Sequence, residues 1–137
     1  MAHFYGYPMN SWCVGQITDI SQLYYHMSTF HEDIYIWDVS SVTDMEWMLY
    51  GASAFNGELS AWDVSSVADM GYMFYSASDF NGDLSAWNIS SVMYIYVILY
   101  GASTFNGNLL AWNVSSVTNM ALVFQEASAF NQDLYME

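Results

Sequence analysis

The sequence of 137 residues contains no lysine and no arginine, a single cysteine and a single proline. It also contains 14 aspartate and glutamate residues, so its formal net charge is −14. Affinity for nucleic acid comes largely from lysine and arginine side chains that displace the counterions of the phosphate backbone, so no nucleic-acid partner is expected. Anionic membrane surfaces are disfavoured for the same electrostatic reason.

Long hydrophobic runs are absent as well. No stretch reaches the roughly 18 apolar residues that suggest a membrane helix, so no membrane insertion is predicted. Residues 1–8 lack the basic region and the apolar core of a signal peptide. The lone Cys13 cannot form an internal disulfide, and its expected role is that of a small buried residue beside Trp12.

What the sequence does contain is a repeat of 25 residues. The chain is predicted to be a single repeat domain, 1–137, made of a half unit at 1–11 and five full units. We number these units one to five, and they span 12–36, 37–61, 62–86, 87–111 and 112–136. Tryptophan and phenylalanine mark the repeat at Trp12, Trp37, Trp62, Trp87 and Trp112, and at Phe30, Phe55, Phe80, Phe105 and Phe130.

The pattern within one unit predicts a strand and a helix. In unit three the apolar residues are spaced by three and four, as on one face of a helix, at Val67, Met70, Met73, Phe74 and Ala77. Ser65 or Ser66 is a candidate cap, and the residues around each tryptophan read as a short extended stretch. A unit this small cannot bury a face alone, so the units are expected to stack. The predicted fold is a leucine-rich-repeat-like solenoid with a short parallel strand and a short helix in each unit.

A column of asparagines follows the phenylalanines. In a stacked turn, an asparagine side chain can satisfy backbone groups of the next turn, so a structural role is predicted. His31 takes this place in unit one, where the column is expected to be imperfect. The members are Asn56, Asn81, Asn106 and Asn131.

The repeat resembles a known family. The motifs that carry the likeness are Trp-Asp-Val-Ser-Ser-Val-Thr-Asp-Met, then Met-Phe, then Ala-Ser-Ala-Phe-Asn. They resemble the BspA-like leucine-rich-type surface repeats, also known as the Mycoplasma-lipoprotein-associated repeat. The match is specific at 37–86 and 101–134 and weaker at 12–36 and 93–98. The resemblance implies a solenoid at a cell surface, used for adhesion or protein contact, with no catalytic residues to carry over.

Positions that vary within this regular frame suggest where specificity lies. Residues 93–98 replace polar and small residues with bulky apolar ones, which suggests a contact surface on unit four. Outward positions of units two to four are rich in aromatic rings, and such rings are enriched at interface hot spots. They are expected either to bind a partner or to pack on each other. We call them the aromatic strip: Trp47, Tyr50, Tyr72, Tyr75, Tyr94, Tyr96 and Tyr100.

Cofactors and catalysis find little support. Stacked carboxylates such as Asp38 and Asp63, or Asp44 and Asp69, would favour calcium, but asparagine and tyrosine interrupt these columns. Solvated faces or turn caps are the preferred interpretation, so no cofactor is predicted, with calcium as the alternative. The histidines lie near the start of the chain, and no repeating nucleophile or carboxylate accompanies them. The chain is therefore predicted not to be an enzyme.

Two functions are consistent with these sequence features. The first is a non-enzymatic repeat domain, extracellular or at the cell surface, whose aromatic strip binds a protein or a glycan. The alternative is a structural subunit that self-associates end to end into filaments or a larger assembly, since neither end looks like a polar cap. A third interpretation is an engineered or excerpted fragment that has lost its caps. The candidate assembly residues are Tyr5, Tyr7, Leu134, Tyr135 and Met136.

Overall fold

The computed structural model describes residues 8–134. Across this range the only helical element is a single 3-10 turn at Met9–Ser11, and no α-helix or strand is formed. Isolated parallel bridges link neighbouring units at one position only, from Asp19 through Asp44, Asp69 and Tyr94 to Asn119. The predicted leucine-rich-repeat-like solenoid, with a strand and a helix in each unit, is therefore wrong. Ser65 and Ser66 cap no helix.

Successive turns take the place of the predicted helix. In unit two, the N–H groups of alternate residues leave the unit and donate to carbonyls of unit three, as in Trp47 to Gly71 at 2.9 Å. The N–H groups between them stay inside the unit and close tight turns, as in Met48 to Met45 at 3.2 Å. Over residues 45–51, every second backbone donor therefore connects unit two to unit three. The units lie on one another, held by backbone hydrogen bonds one repeat apart.

Backbone conformation explains why no helix forms. All residues with positive φ among those described occupy two places in the repeat, as Trp47 and Gly51 do in unit two with φ of 63° and 70°. Both are the third residue of a turn closed by a hydrogen bond, from Met48 to Met45 and from Ala52 to Leu49. This is the position at which type II turns require positive φ. Left-handed residues at these intervals interrupt any right-handed helix.

The core consists of stacked columns. Phe30, Phe55, Phe80, Phe105 and Phe130 lie nearly parallel, with neighbouring ring centroids 5.5–6.1 Å apart. The indole N–H of Trp62 donates to the carbonyl of Ile34 at 3.1 Å, and the next tryptophans repeat this bond one unit further on. These side chains and the aliphatic columns between them form one continuous buried cluster. The core therefore runs through all units instead of lying within each of them.

The predicted asparagine column is confirmed. The Asn56 side-chain oxygen accepts the backbone N–H of Asn81 at 2.8 Å, and the same bond recurs from Asn81 to Asn106 and on to Asn131. The expectation for Cys13 is wrong, because this residue is exposed. Within 8–134, no helix has the length and apolar character needed to cross a membrane.

Candidate functional site

Three tyrosines of the aromatic strip, Tyr50, Tyr75 and Tyr100, form a stacked column. Tyr50 and Tyr75 lie face to face, with ring centroids 4.4 Å apart and an interplanar angle of 3°. Tyr75 and Tyr100 continue the stack at 4.8 Å and 10°. Tyr25 extends it into unit one, 5.0 Å from Tyr50. The column follows directly from the repeat, because one register position holds tyrosine in four consecutive units.

A second row of rings runs beside this column. Trp47 and Tyr72 pack edge to face at 5.2 Å, and Tyr72 and Tyr96 do the same at 5.2 Å and 90°. Tyr94 meets Tyr96 at 6.4 Å. Trp47 and Tyr72 also approach the first column, at 5.8 Å from Tyr50 and 5.9 Å from Tyr75. The structure thus brings all seven predicted residues together on one side of units two to four.

Two residues outside the predicted aromatic strip hold this second row in place. The Tyr96 hydroxyl donates to the Glu46 carboxylate, which also accepts the Trp47 indole N–H at 2.8 Å. Tyr96 lies over Gly71, where an added Cβ would stand 2.5 Å from the tyrosine ring. Glycine at this position therefore makes room for the ring, and Glu46 anchors a tyrosine from two units away. The sequence signal was that Glu46, Gly71 and Tyr96 occupy one register position that varies from unit to unit.

The electrostatics of the strip are acidic. Burial raises the pKa of the Tyr96 phenol, and its hydrogen bond to Glu46 adds to this. Asp69 lies half-buried next to the strip, and burial raises the pKa of its carboxyl despite the N–H that it accepts from Gly71. Coulombic repulsion from Glu46 and Asp44 acts in the same direction. The rings therefore lie in a region of negative potential, with no lysine or arginine in the chain to offset it.

The strip offers ring edges more than ring faces. Its members are half-buried, apart from the more exposed Tyr94. In the column, neighbouring rings cover each other's faces. Among residues 8–134, the hydroxyls of Tyr72 and Tyr94 have no protein hydrogen-bond partner. The surface can therefore supply apolar edge contacts and hydrogen bonds, whereas a face-on stacking partner finds little free area on the column.

The carboxylates of the predicted acidic columns act as turn caps. The Asp38 and Asp63 carboxylates accept the backbone N–H and the hydroxyl of the serine two residues later, and Asp83 does the same. Hydrogen bonds from the Ser40 and Ser65 side chains lower the pKa of Asp38 and Asp63, and backbone bonds add to this. In unit four the Asn88 side-chain oxygen accepts the backbone N–H of Ser90 at 3.0 Å, which explains why the column tolerates asparagine.

Of the residues predicted to mediate assembly, Leu134 is half-buried at the last unit, where it lines an apolar cavity of about 240 Å³ with Trp112, Val123 and Phe124. Tyr5, Tyr7, Tyr135 and Met136 lie outside the described residues. We call the surface that surrounds this cavity the unit-five face.

Comparison with known families gives one match. Residues 1–100 and 83–136 match the family described as Mycoplasma protein of unknown function, DUF285. The chain belongs to DUF285. The two matched ranges overlap and together cover nearly the whole sequence, as expected for a repeat that runs throughout the chain. Searches of curated proteins and of solved structures gave no match.

Proposed function

We propose that this DUF285 chain is a non-enzymatic recognition module, at the cell surface or outside the cell, whose aromatic strip binds a protein or glycan partner. The observation that carries the proposal is the continuity of the strip, in which each of the seven rings of units two to four has another within 6.4 Å, centroid to centroid. Tyrosine and tryptophan provide large contact areas at a small entropic cost and are enriched at binding hot spots. The proposal includes membership of the narrower BspA-like group of surface repeats.

A protein partner fits the strip better than a glycan does. Stacking on a sugar requires an open ring face, whereas the faces of Tyr50 and Tyr75 lie against neighbouring rings. The exposed edges and hydroxyls suit a polypeptide surface. The formal charge of −14 further favours a basic partner, since complementary charge speeds encounter and improves specificity.

The test begins with a displayed library of random peptides. Selection uses the wild-type chain alone, and the selected peptides are then titrated against the Trp47→Gly and Tyr72→Gly single variants and the double variant. Both residues have positive φ, 63° and 57°, a conformation that glycine adopts freely, so these substitutions remove rings while the backbone can keep its path. Calorimetric titration of a selected peptide should then show a loss of about 2 kcal/mol, or roughly 30-fold in Kd, for each ring removed.

Two control variants isolate the strip. Leu122→Gly alters the same register position, with φ of 58°, in a unit that has no ring of the strip. Tyr35→Ser removes an exposed tyrosine outside the strip. Both should bind the peptide as the wild type does. Peptide binding that survives the loss of Trp47 and Tyr72 would overturn the proposal, and binding to a glycan array but not to peptides would change the partner class.

A further inference from the structure

The junctions between units have a fixed polarity. At each of the four junctions, four N–H groups of the earlier unit donate to carbonyls 24 residues later. Between units two and three the donors are Met45, Trp47, Leu49 and Gly51, with distances of 2.7–3.0 Å. We call these four positions the backbone ladder. At the ladder positions, one side of a unit presents only N–H donors and the other side only carbonyl acceptors.

Both terminal units present this ladder without a partner among residues 8–134. On unit five, four N–H groups at the ladder positions find no acceptor there, and on unit one, four carbonyls find no donor. Two unit-five faces cannot pair through these groups, because both would donate. The donors are Met120, Leu122, Phe124 and Glu126, and the acceptors are Asp19, Ser21, Leu23 and Tyr25.

The apolar cavity of the unit-five face lies where the tryptophan of a following unit would pack. In the tryptophan column, from Trp37 onwards, each indole N–H donates to the carbonyl 28 residues earlier, and the last of these bonds runs from Trp112 to Leu84 at 2.9 Å. The Leu84 carbonyl also accepts the backbone N–H of Trp87. The next carbonyl of this series is that of Leu109, which lines the cavity and accepts only the N–H of Trp112 among the described residues.

We propose that the unit-five face binds unit one of a second copy of this chain, head to tail. Seated as a sixth unit, the second copy would place its carbonyls of Asp19, Ser21, Leu23 and Tyr25 opposite the four free donors. Its Trp12 indole would meet the Leu109 carbonyl. The contact would cover Trp12, Ile17 and Leu23, which are 39–42% exposed in the single chain. In repeat register, Pro8 and Met9 of that copy fall on Asp133 and Leu134, so on binding Leu134 takes the place of the buried Met9 and the Pro8–Met9 segment of the second copy is displaced.

Charge gives this contact a signature that separates it from partner binding by the strip. Two chains of formal charge −14 repel one another, and salt shortens the range of that repulsion to about 8 Å at physiological ionic strength. Self-association therefore strengthens as salt is added. Binding of a basic partner to the aromatic strip weakens under the same change, so either proposal can fail without the other.

The test is sedimentation velocity of the full chain over a range of protein and salt concentrations, with two variants. Leu122→Asp places a charge on the unit-five face, and Leu23→Asp places one on unit one. Both leucines are exposed, at 55% and 42%, so neither substitution buries a charge in the core. Thr104→Asp adds the same charge at an exposed position away from both faces.

Head-to-tail binding predicts a specific set of results. The wild type and Thr104→Asp grow in mass with concentration, and more so at higher salt. Each leucine variant alone stays a monomer of 15.6 kDa. An equimolar mixture of the two variants forms a dimer and stops there, because each variant keeps one intact face. Near-UV circular dichroism checks the folding of both variants. If Leu122→Asp is misfolded, Leu122→Asn takes its place, and if Leu23→Asp is misfolded, Leu23→Gln takes its place.

Three results would overturn the inference. The first is a wild-type chain that stays monomeric at every protein and salt concentration. The second is a leucine variant that assembles as the wild type does. The third is a mixture of the two variants that stays monomeric although the wild type assembles.

Discussion

Units two to four and the two terminal units have closely similar residues at their core positions, yet they bury them differently. Trp37, Trp62 and Trp87 are 2–4% exposed, whereas Trp12 is 39% exposed. Met45 and Met70 are fully buried, whereas Met120 is 39% exposed. The difference shows that a unit is covered mainly by its neighbours, so stability resides in the junctions, as in other stacked repeats.

Substitutions in the phenylalanine column should produce the largest difference in stability between central and terminal units. Phe80 is fully buried between Phe55 and Phe105, and Phe130 is half-buried at the end of the column. Phe80→Ala should destabilise the chain by about 3–5 kcal/mol through lost packing and the cavity that remains. Phe130→Ala should cost less than half of that. Urea denaturation of both variants measures the difference, and equal losses would contradict the account.

The tryptophan column gives a test of intermediate size. Trp62→Phe removes an indole that is buried and hydrogen-bonded to the Ile34 carbonyl. Losing that bond and part of the ring should cost about 1–3 kcal/mol. Trp12→Phe alters a ring that is 39% exposed and should change stability by less than about 0.5 kcal/mol. Thermal unfolding of the two variants under one buffer condition compares them, and the account fails if Trp12→Phe is the more damaging.

Substitutions at two positions with positive φ, in neighbouring units, should affect stability differently. Gly101 has φ of 68°, and an added Cβ would lie 3.2 Å from the Ser76 hydroxyl oxygen, so Gly101→Ala should cost about 1–2 kcal/mol. Leu122 also has positive φ, but its side chain is largely exposed. Leu122→Gly should therefore stay within about 0.5 kcal/mol of the wild type. Chemical denaturation should show a loss only for the alanine variant.

The smallest expected difference concerns how stability depends on pH. Partial burial raises the pKa of Asp69, so its stabilising contribution is present at low pH and is lost as pH rises through the folded-state pKa. Asn119 occupies the same position in unit five and accepts the matching N–H at 3.1 Å, so asparagine fits. Asp69→Asn should raise stability at pH 7 by less than about 1 kcal/mol, given solvent screening. The gain should vanish below about pH 4, near the unperturbed pKa of aspartate.

Asp19 is the matched control in a terminal unit. Hydrogen bonds from the Ser21 side chain and backbone lower its pKa, so its contribution is present above the unfolded pKa and is lost as pH falls through the folded one. Asp19→Asn should therefore slightly lower stability at pH 7. Melting temperatures of both variants at pH 3 and pH 7 test the two signs. A common direction for the two changes would show that burial does not separate these sites.

The sequence was sufficient to predict what depends on register alone. Identical residues at intervals of 25 must lie over one another once the units stack, so the phenylalanine stack, the asparagine column and the gathering of the aromatic strip could be anticipated. The bond from Asn81 to Asn56 is a direct case, since both the donor and the acceptor recur in each unit.

The local fold could not be predicted in the same way. Apolar spacing of three and four at Met70, Met73 and Phe74 is also produced by consecutive turns that carry left-handed residues. Glycine would have signalled these turns, yet Tyr72, Ser76 and most of their counterparts are not glycine. Hydrogen bonds to the neighbouring unit stabilise this conformation, and such tertiary bonds leave no local signal in the sequence.

The candidate site was partly hidden for a related reason. Its aromatic members could be predicted because each one departs visibly from the frame of small and polar residues. The bond from Tyr96 to Glu46 spans two units, and the space above Gly71 depends on where the tyrosine ring lies. These contacts follow from side-chain packing in three dimensions, which no spacing in the chain encodes.

Amide hydrogen exchange followed by NMR, at a protein concentration low enough to keep the chain monomeric, tests the central claim most directly. If the units are joined by the backbone ladder, the N–H groups of Met45, Trp47 and Leu49 should exchange slowly. Their counterparts in unit five, Met120, Leu122 and Phe124, should exchange orders of magnitude faster. Equally slow exchange in both sets would show that each unit satisfies its own backbone, and would contradict the stacking account.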